Sequence, residues 1–372
     1  MIEQPPFWMW ILGFLLVLGP LVTLHELGHL LVGRALGVKA EAFSVGFGKE
    51  LFGFNDRHGT RWRLSALPLG GYVQFKGDMN PASIPDPDHP AEEGAFQNAQ
   101  LWKRALIVAA GPVTNILIAL AIFAGFFMII GRPVPVDANQ QLTVAGFSDP
   151  SPAQAAGIEV GDRIVTLDGE PVESFGDLQR SVMLHPDQRM ELGVERDGET
   201  MSFALTTMSR EVEDRFGNTS RIGLLGVESA GVEYDFVRQG PLAAIGGGVE
   251  QSVDTFAMMI TGLKQIVTGQ RSVQELGGPV KIAKFSGEQL SLGLSAFINF
   301  VALISLNLAF INLLPIPALD GGHLAFYAAE AIRRKPVGPR VMEMAYRTGV
   351  ALVLALMLFV TINDLASLTL FG

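Results

Sequence analysis

The chain has 372 residues, 49% hydrophobic and only 17% charged, with no cysteine. Soluble proteins carry about 25% charged residues, so an ordinary water-soluble chain is excluded, and a mean hydropathy of +0.34 agrees. The 27 basic and 37 acidic residues give a net charge of −10, which argues against nucleic acid as a partner. The missing cysteines exclude a disulfide framework, a thiolate zinc site and a cysteine nucleophile.

A membrane span needs about 20 mostly apolar residues. Four stretches qualify, near 7–36, 105–130, 292–314 and 350–371. The first lacks a basic leader and a small-residue cleavage site, so it reads as a retained span. A fifth apolar stretch, 241–267, carries Glu250, Asp254 and Lys264 and reads as an amphipathic, interfacial helix. Basic residues gather in 34–104 and in Arg333, Arg334, Lys335 and Arg340. By the positive-inside rule both segments are cytoplasmic, which leaves the termini and the long segment 131–291 extracytoplasmic.

Within the first span stands Thr23-Leu24-His25-Glu26-Leu27-Gly28-His29. Helical positions i and i+4 share a face, so His25 and His29 can chelate one zinc ion, with Glu26 placed to act on the attacking water. Ionisable groups inside a span cost about 2.5–3.5 kcal/mol each even on low insertion scales, and such a cluster marks a functional site. Between that span and the second, Pro68 to Phe75 alternates around Gly70-Gly71 and reads as a hairpin near the membrane. Trp102 and Arg104 read as interface anchors.

The texture then changes to short β-like runs rich in glycine and aspartate. Between Asp137 and Gly240 there are 19 acids and 8 bases. Arg163 to Leu167 reads as a strand, Asp168-Gly169 as a tight turn and Phe175 to Met183 as a helix. The run Ala156-Gly157 … Gly161-Asp162-Arg163-Ile164 … Asp168-Gly169 resembles a PDZ domain in the bacterial strand order. That resemblance implies capture of an extended peptide or C-terminus by strand addition. The ligand groove would include Gly223, Leu224, Leu225 and Gly226, although glycines that merely end strands explain the run equally well.

A zinc site needs a third protein ligand. Asp320 follows Asn307, Asn312 and the helix breakers Pro315 and Pro317. The broken helix must be buried or line a cavity, which aims Asp320 inward on the same side as His29. His323 could substitute, but reads better as a helix-start packing residue. Asp364 reads as an interfacial or packing residue, and His58, His89 and His185 as surface residues.

Taken together, HELGH in the first span, Asn-x-x-Pro-x-Pro-x-Leu-Asp-Gly after the third, and the intervening module resemble the site-2 protease family of intramembrane zinc metalloproteases. The runs 68–73, 102–104, 111–115 and 277–280 resemble its bacterial regulator-of-sigma-E protease (RseP) branch, although only one PDZ module is present. The fold expected is an α-helical multi-pass membrane protein with four transmembrane helices and an inserted extracytoplasmic PDZ domain, small and mainly β. Its boundaries read as span one 1–36, hairpin region 37–103, span two 104–130, PDZ 131–235 and interfacial region 236–291. Span three with the LDG motif (292–324), a cytoplasmic connection (325–349) and span four (350–371) complete it.

The resemblance implies one zinc ion per chain held by His25, His29 and Asp320, with Glu26 as the catalytic base. It implies substrate contacts at Gly70, Gly71, Tyr72 and Val73, whose loop pairs with extended substrate in the family, and at Asn307 and Asn312. For Asn115, packing, zinc-site support and oxyanion stabilisation stay open. Substrates would be single-pass membrane proteins, such as anti-sigma factors or signal-peptide remnants, reached from the lipid of a bacterial inner membrane, with no nucleic acid involved. The module and 241–267 would gate access. The competing readings are a catalytically inactive membrane-anchored PDZ scaffold or chaperone, and a metal transporter, which an intact zinc motif and the lack of an inverted repeat respectively disfavour.

Overall fold

The computed structural model describes residues 5–77, 93–135, 142–213, 219–229, 234–269, 273 and 276–367. His89 lies outside them. In chain order come α1 (Phe7–Ala35), β1 (Ala40–Asn55), β2 (Arg61–Phe75) and α2 (Leu101–Ile129). Next are β3 (Arg132–Pro135), β4 (Val144–Phe147), the short α3 (Pro152–Ala155), β5 (Arg163–Leu167) and β6 (Glu170–Pro171). Helix α4 (Phe175–Met183) leads to β7 (Arg189–Arg196), β8 (Glu199–Thr206), β9 (Met208–Glu213), β10 (Thr219–Leu224), β11 (Val227–Ser229) and β12 (Tyr234–Val237). The rest is helical: α5 (Pro241–Val267), α6 (Pro279–Ser291), α7 (Leu294–Leu313), α8 (Asp320–Arg333) and α9 (Pro339–Ser367).

Four of these helices, α1, α2, α7 and residues 340–366 of α9, are long and apolar enough to cross a membrane. The fourth begins well before the expected 350, because its amphipathic first turns join the apolar run without a break. The expected cytoplasmic connection 325–349 is likewise mostly helical, split between α8 and α9. Two compact units emerge, one built from 125–244 with 261–265 and the other from the remaining described residues.

In the first unit, β6, β5, β7 and β8 form an antiparallel sheet in that order. Asp168-Gly169 and Asp197-Gly198 both take positive φ, the backbone that tight hairpins need. Ser174 caps α4 by accepting the N–H of Asp177. Ile164, Leu192 and Val194 are fully buried and pack with Leu178 and Val182 of α4. Asp162, 1% exposed, receives a bidentate pair of hydrogen bonds from Arg196, both 2.6 Å, and the N–H of Glu159. Hydrogen bonding from Arg196 holds the Asp162 carboxyl below the usual carboxylate range, against the opposing effect of burial. Arg196→Ala leaves that buried carboxylate without its cationic partner, held only by the Glu159 N–H. We expect amide exchange across 163–196 of the full-length protein to quicken by at least about tenfold, measured by hydrogen–deuterium exchange.

In the second unit, α1 buries Trp10, Gly13, Val17, Leu21, His25, Gly28 and His29, a stripe of three- and four-residue steps along one face. Phe7, Trp8, Ile11, Leu16 and Leu31 on its other faces are exposed, as lipid-facing residues are. Asp364 is fully buried and accepts the N–H groups of Gly278 and Lys281 at 3.0 and 2.9 Å, so it caps the start of α6.

The run 68–75 is not a hairpin of its own. It is the second half of β2, and the turn lies at 56–60. Phe43, Ser44 and Val45 of β1 each have two partners: Val73 and Trp62, Tyr72 and Arg63, Gly71 and Leu64. β2 therefore runs along both sides of β1, and Gly70, at φ +104°, supplies the left-handed backbone for the change of side. The segment 71–75 ends on an outer edge of the sheet.

Asp56 anchors the turn. It accepts hydrogen bonds from Arg34, Trp62 Nε1, and the N–H groups of His58 and Thr60. Burial alone would raise its pKa, but the bonds from Trp62 and Arg34 outweigh it and hold the carboxyl well below the carboxylate range. A depressed folded pKa gives stability that is complete above the unfolded value near about pH 4 and lost as pH falls below it. Asp56→Asn should lower the melting temperature at neutral pH and shrink its decline between about pH 6 and 3, as thermal scans would read.

Candidate metal centre

The buried stripe of α1 delivers His25 and His29 to the same side one turn apart. Asp320 arrives from the far end of the sequence: α7 stops at Leu313, residues 314–319 are non-helical, and Asp320 opens α8. Gly321 makes the turn tight, because a Cβ there would overlap the carbonyl oxygens of Leu313 and Leu314.

The donor atoms form a small triangle. His25 Nε2 lies 3.2 Å from His29 Nε2 and 3.2 Å from Asp320 Oδ2, and His29 Nε2 lies 3.6 Å from Asp320 Oδ2. A tetrahedral zinc ion about 2.0–2.1 Å from each donor spaces its ligands about 3.3 Å apart. The three residues could hold such an ion. Asp320 Oδ2 is also buried without a hydrogen-bond donor among the described residues, a cost that a cation relieves. His29 Nδ1 lies 2.7 Å from the Ile107 carbonyl. Donating there fixes the proton on Nδ1 and leaves Nε2 as the ligand atom.

Helix α2 closes the other side. A Cβ on Gly111 would stand 2.6 Å from His25 Nε2 and closer still to His29 Nε2. Only glycine leaves room there for an ion. A Cβ on Gly28 would meet Thr114 Oγ1 and the Ala110 carbonyl, so α1 and α2 touch through small residues.

His25, His29 and Asp320 line a cavity of about 380 Å³ together with Glu26, Val73, Asn312 and His323. The Val73 N–H, on the outer edge of β2, donates to Glu26 Oε2 at 3.2 Å. Gly71 is next to Glu26, Tyr72 stacks on Phe47 with ring centroids 6.1 Å apart, and Gly70 packs against the same Phe47. Asn307 is half-buried on α7 outside the cavity lining. Gly223, Leu225 and Gly226 of the other unit are buried, and Leu224 is partly exposed. Gly223 abuts the carbonyls of Val182 and His185, so what this run can offer a ligand is main chain. Trp102 is exposed, whereas Arg104 pairs with Glu330 at 3.2 Å and covers the Tyr327 ring.

Sequence reasoning missed the part of Gly111 and of the Ile107 carbonyl. Their spacing of four along α2 was visible, but only the packing of α2 on α1 tells which face meets the histidines.

The chain matches the model of peptidase family M50 over residues 13–356. It is 42% identical over 369 residues to an Agrobacterium fabrum protein that bears the name of a zinc metalloprotease, covering 96% of each chain. A Rhizobium meliloti protein, also named as a zinc metalloprotease, is 43% identical over 363 residues, 95% of each. A Caulobacter vibrioides protein named metalloprotease MmpA is 34% identical over 387 residues, 96% of each. The chain belongs to peptidase family M50, the site-2 protease family, and is a membrane zinc metalloprotease.

Proposed function

We propose that this metalloprotease cuts peptide bonds within or near the transmembrane segment of single-pass membrane proteins. The observation that carries the reading is one cavity holding Glu26 beside His25, His29 and Asp320, formed by helices apolar enough to span a bilayer. Zinc bound by those three residues supplies Lewis acidity, polarising the scissile carbonyl and lowering the pKa of water from 15.7 toward about 7. Glu26 takes the proton of the attacking water and returns it to the leaving amine. Asn312, lining the same cavity, offers an amide to the substrate backbone.

A helical substrate must first be unwound. The outer edge of 71–75 borders the cavity at Val73, and an extended substrate segment added there has its backbone groups satisfied where lipid cannot satisfy them. Anti-sigma factors and signal-peptide remnants fit this substrate class. The 142–229 region serves as an extracytoplasmic PDZ-type module that selects or screens substrates. Its support is the strand–turn–helix order about Asp168-Gly169 and α4. The cluster of basic residues in 34–104 and 333–340 supports a topology with those segments, and the opening of the cavity, on the cytoplasmic side of the bacterial inner membrane.

The test is a comparison of membrane proteomes from cells carrying the active enzyme or Glu26→Gln. Single-span proteins should accumulate with Glu26→Gln, and identical proteomes would count against the reading.

A further inference from the structure

We propose that Asn115 is a positioning residue that locks His25 in the tautomer whose Nε2 is free to bind metal. Asn115 is 0% exposed, and its side-chain amide lies 3.2 Å from His25 Nδ1. An imidazole in water chooses either tautomer, and in a protein the partner of one nitrogen decides the role of the other. The two metal-site histidines have different partners for this purpose. His29 Nδ1 is 2.7 Å from a main-chain carbonyl, that of Ile107, and no side-chain substitution removes it. His25 depends on a side chain.

The amide group has one oxygen and one nitrogen of nearly equal shape. If its nitrogen faces His25 Nδ1, that ring atom must be the acceptor and the proton sits on Nε2, where it blocks metal binding. The Asn115 oxygen is then buried with no donor among the described residues. If its oxygen faces Nδ1, it accepts the Nδ1–H, Nε2 presents its lone pair, and the buried oxygen gains a partner. Metal binding at Nε2 therefore selects the orientation in which the oxygen faces Nδ1.

Placement supports the role. Ile107, Gly111 and Asn115 are four residues apart on α2 and form one stripe against α1. Its ends engage His29 and His25 and its middle leaves space between their Nε2 atoms. Ser305 of α7, itself fully buried, donates to the Asn115 carbonyl at 2.8 Å and fixes that end of the stripe.

The test is zinc affinity of the purified full-length protein, read by competition with a chromogenic chelator. Asn115→Leu keeps the volume and loses the acceptor, so affinity should fall about 10–100-fold. Asn115→Asp restores an acceptor at the same place and should return affinity to the wild-type level or above. Wild-type affinity in Asn115→Leu would overturn the proposal, as would equally weak binding in both variants when both keep the wild-type melting temperature without metal. A wild-type measurement covers the case in which a variant fails to fold. In protein labelled with ¹⁵N-histidine, the His25 signal, identified by its loss in His25→Ala, should show a protonated Nδ1 and a metal-shifted Nε2 in the zinc form. A metal-shifted Nδ1 overturns the assignment. The proposal rests on zinc at His25, His29 and Asp320, and the titration separates the two claims. Wild type that binds no zinc contradicts the site, whereas full affinity in Asn115→Leu contradicts only the positioning role.

Discussion

Gly111→Ala should strip the protein of zinc, leaving below about one-tenth of an equivalent per chain where the wild type holds one. The added methyl falls 2.6 Å from His25 Nε2 and nearer still to His29 Nε2. That is the space an ion must share with both donors. Both imidazoles are buried and tethered through Nδ1, so neither can swing aside without losing its partner. Gly125→Ala is the matched control on α2, because a Cβ there meets nothing within 4 Å. It should bind zinc as the wild type does. Metal analysis of the two purified variants distinguishes a filled metal space from a general intolerance of alanine in this helix.

Glu26→Gln should separate chemistry from metal binding. Hydrolysis of a membrane-embedded peptide should fall about 10²–10⁴-fold, the range attributed to a positioned general base, while zinc stays at one per chain. Glutamine keeps the length and an oxygen that can accept the Val73 N–H now bound at 3.2 Å. The local backbone should hold, so lost activity reports lost basicity. Loss of zinc in this variant would instead make Glu26 part of the ligand set.

The local chemistry of this site was legible in the sequence because it depends on periodicity. Four-residue spacing put His25 and His29 on one helix face, and the prolines at 315 and 317 marked where the chain must leave the helix before Asp320. The lengths of the apolar runs identified four helices, since spanning is a matter of length and composition. Asp168-Gly169 was recognisable as a turn because left-handed backbone there favours that pair.

What escaped the sequence depends on contacts between distant elements. Nothing local in Gly111 or Asn115 says that they oppose His29 and His25. Nor does alternation in 61–75 tell that one strand runs along both sides of β1, an arrangement with positive φ at Gly46, Gly48 and Gly70. The start of α9 at Pro339 was missed because hydropathy detects the apolar part of a helix and not its polar first turns. Asp364 could be seen as polar within a span, but its duty as the cap of α6, 86 residues earlier in the chain, required the fold.

The central claim is that one zinc ion is held by nitrogen and oxygen donors from His25, His29 and Asp320. Its most direct measurement is zinc affinity of the wild type against Asp320→Ala, by chelator competition on purified protein. We predict one tightly held zinc per wild-type chain and a large loss of affinity when the carboxylate is removed. Asp320→Ala that keeps one zinc at wild-type affinity would contradict the ligand set and, with it, the catalytic arrangement built around it.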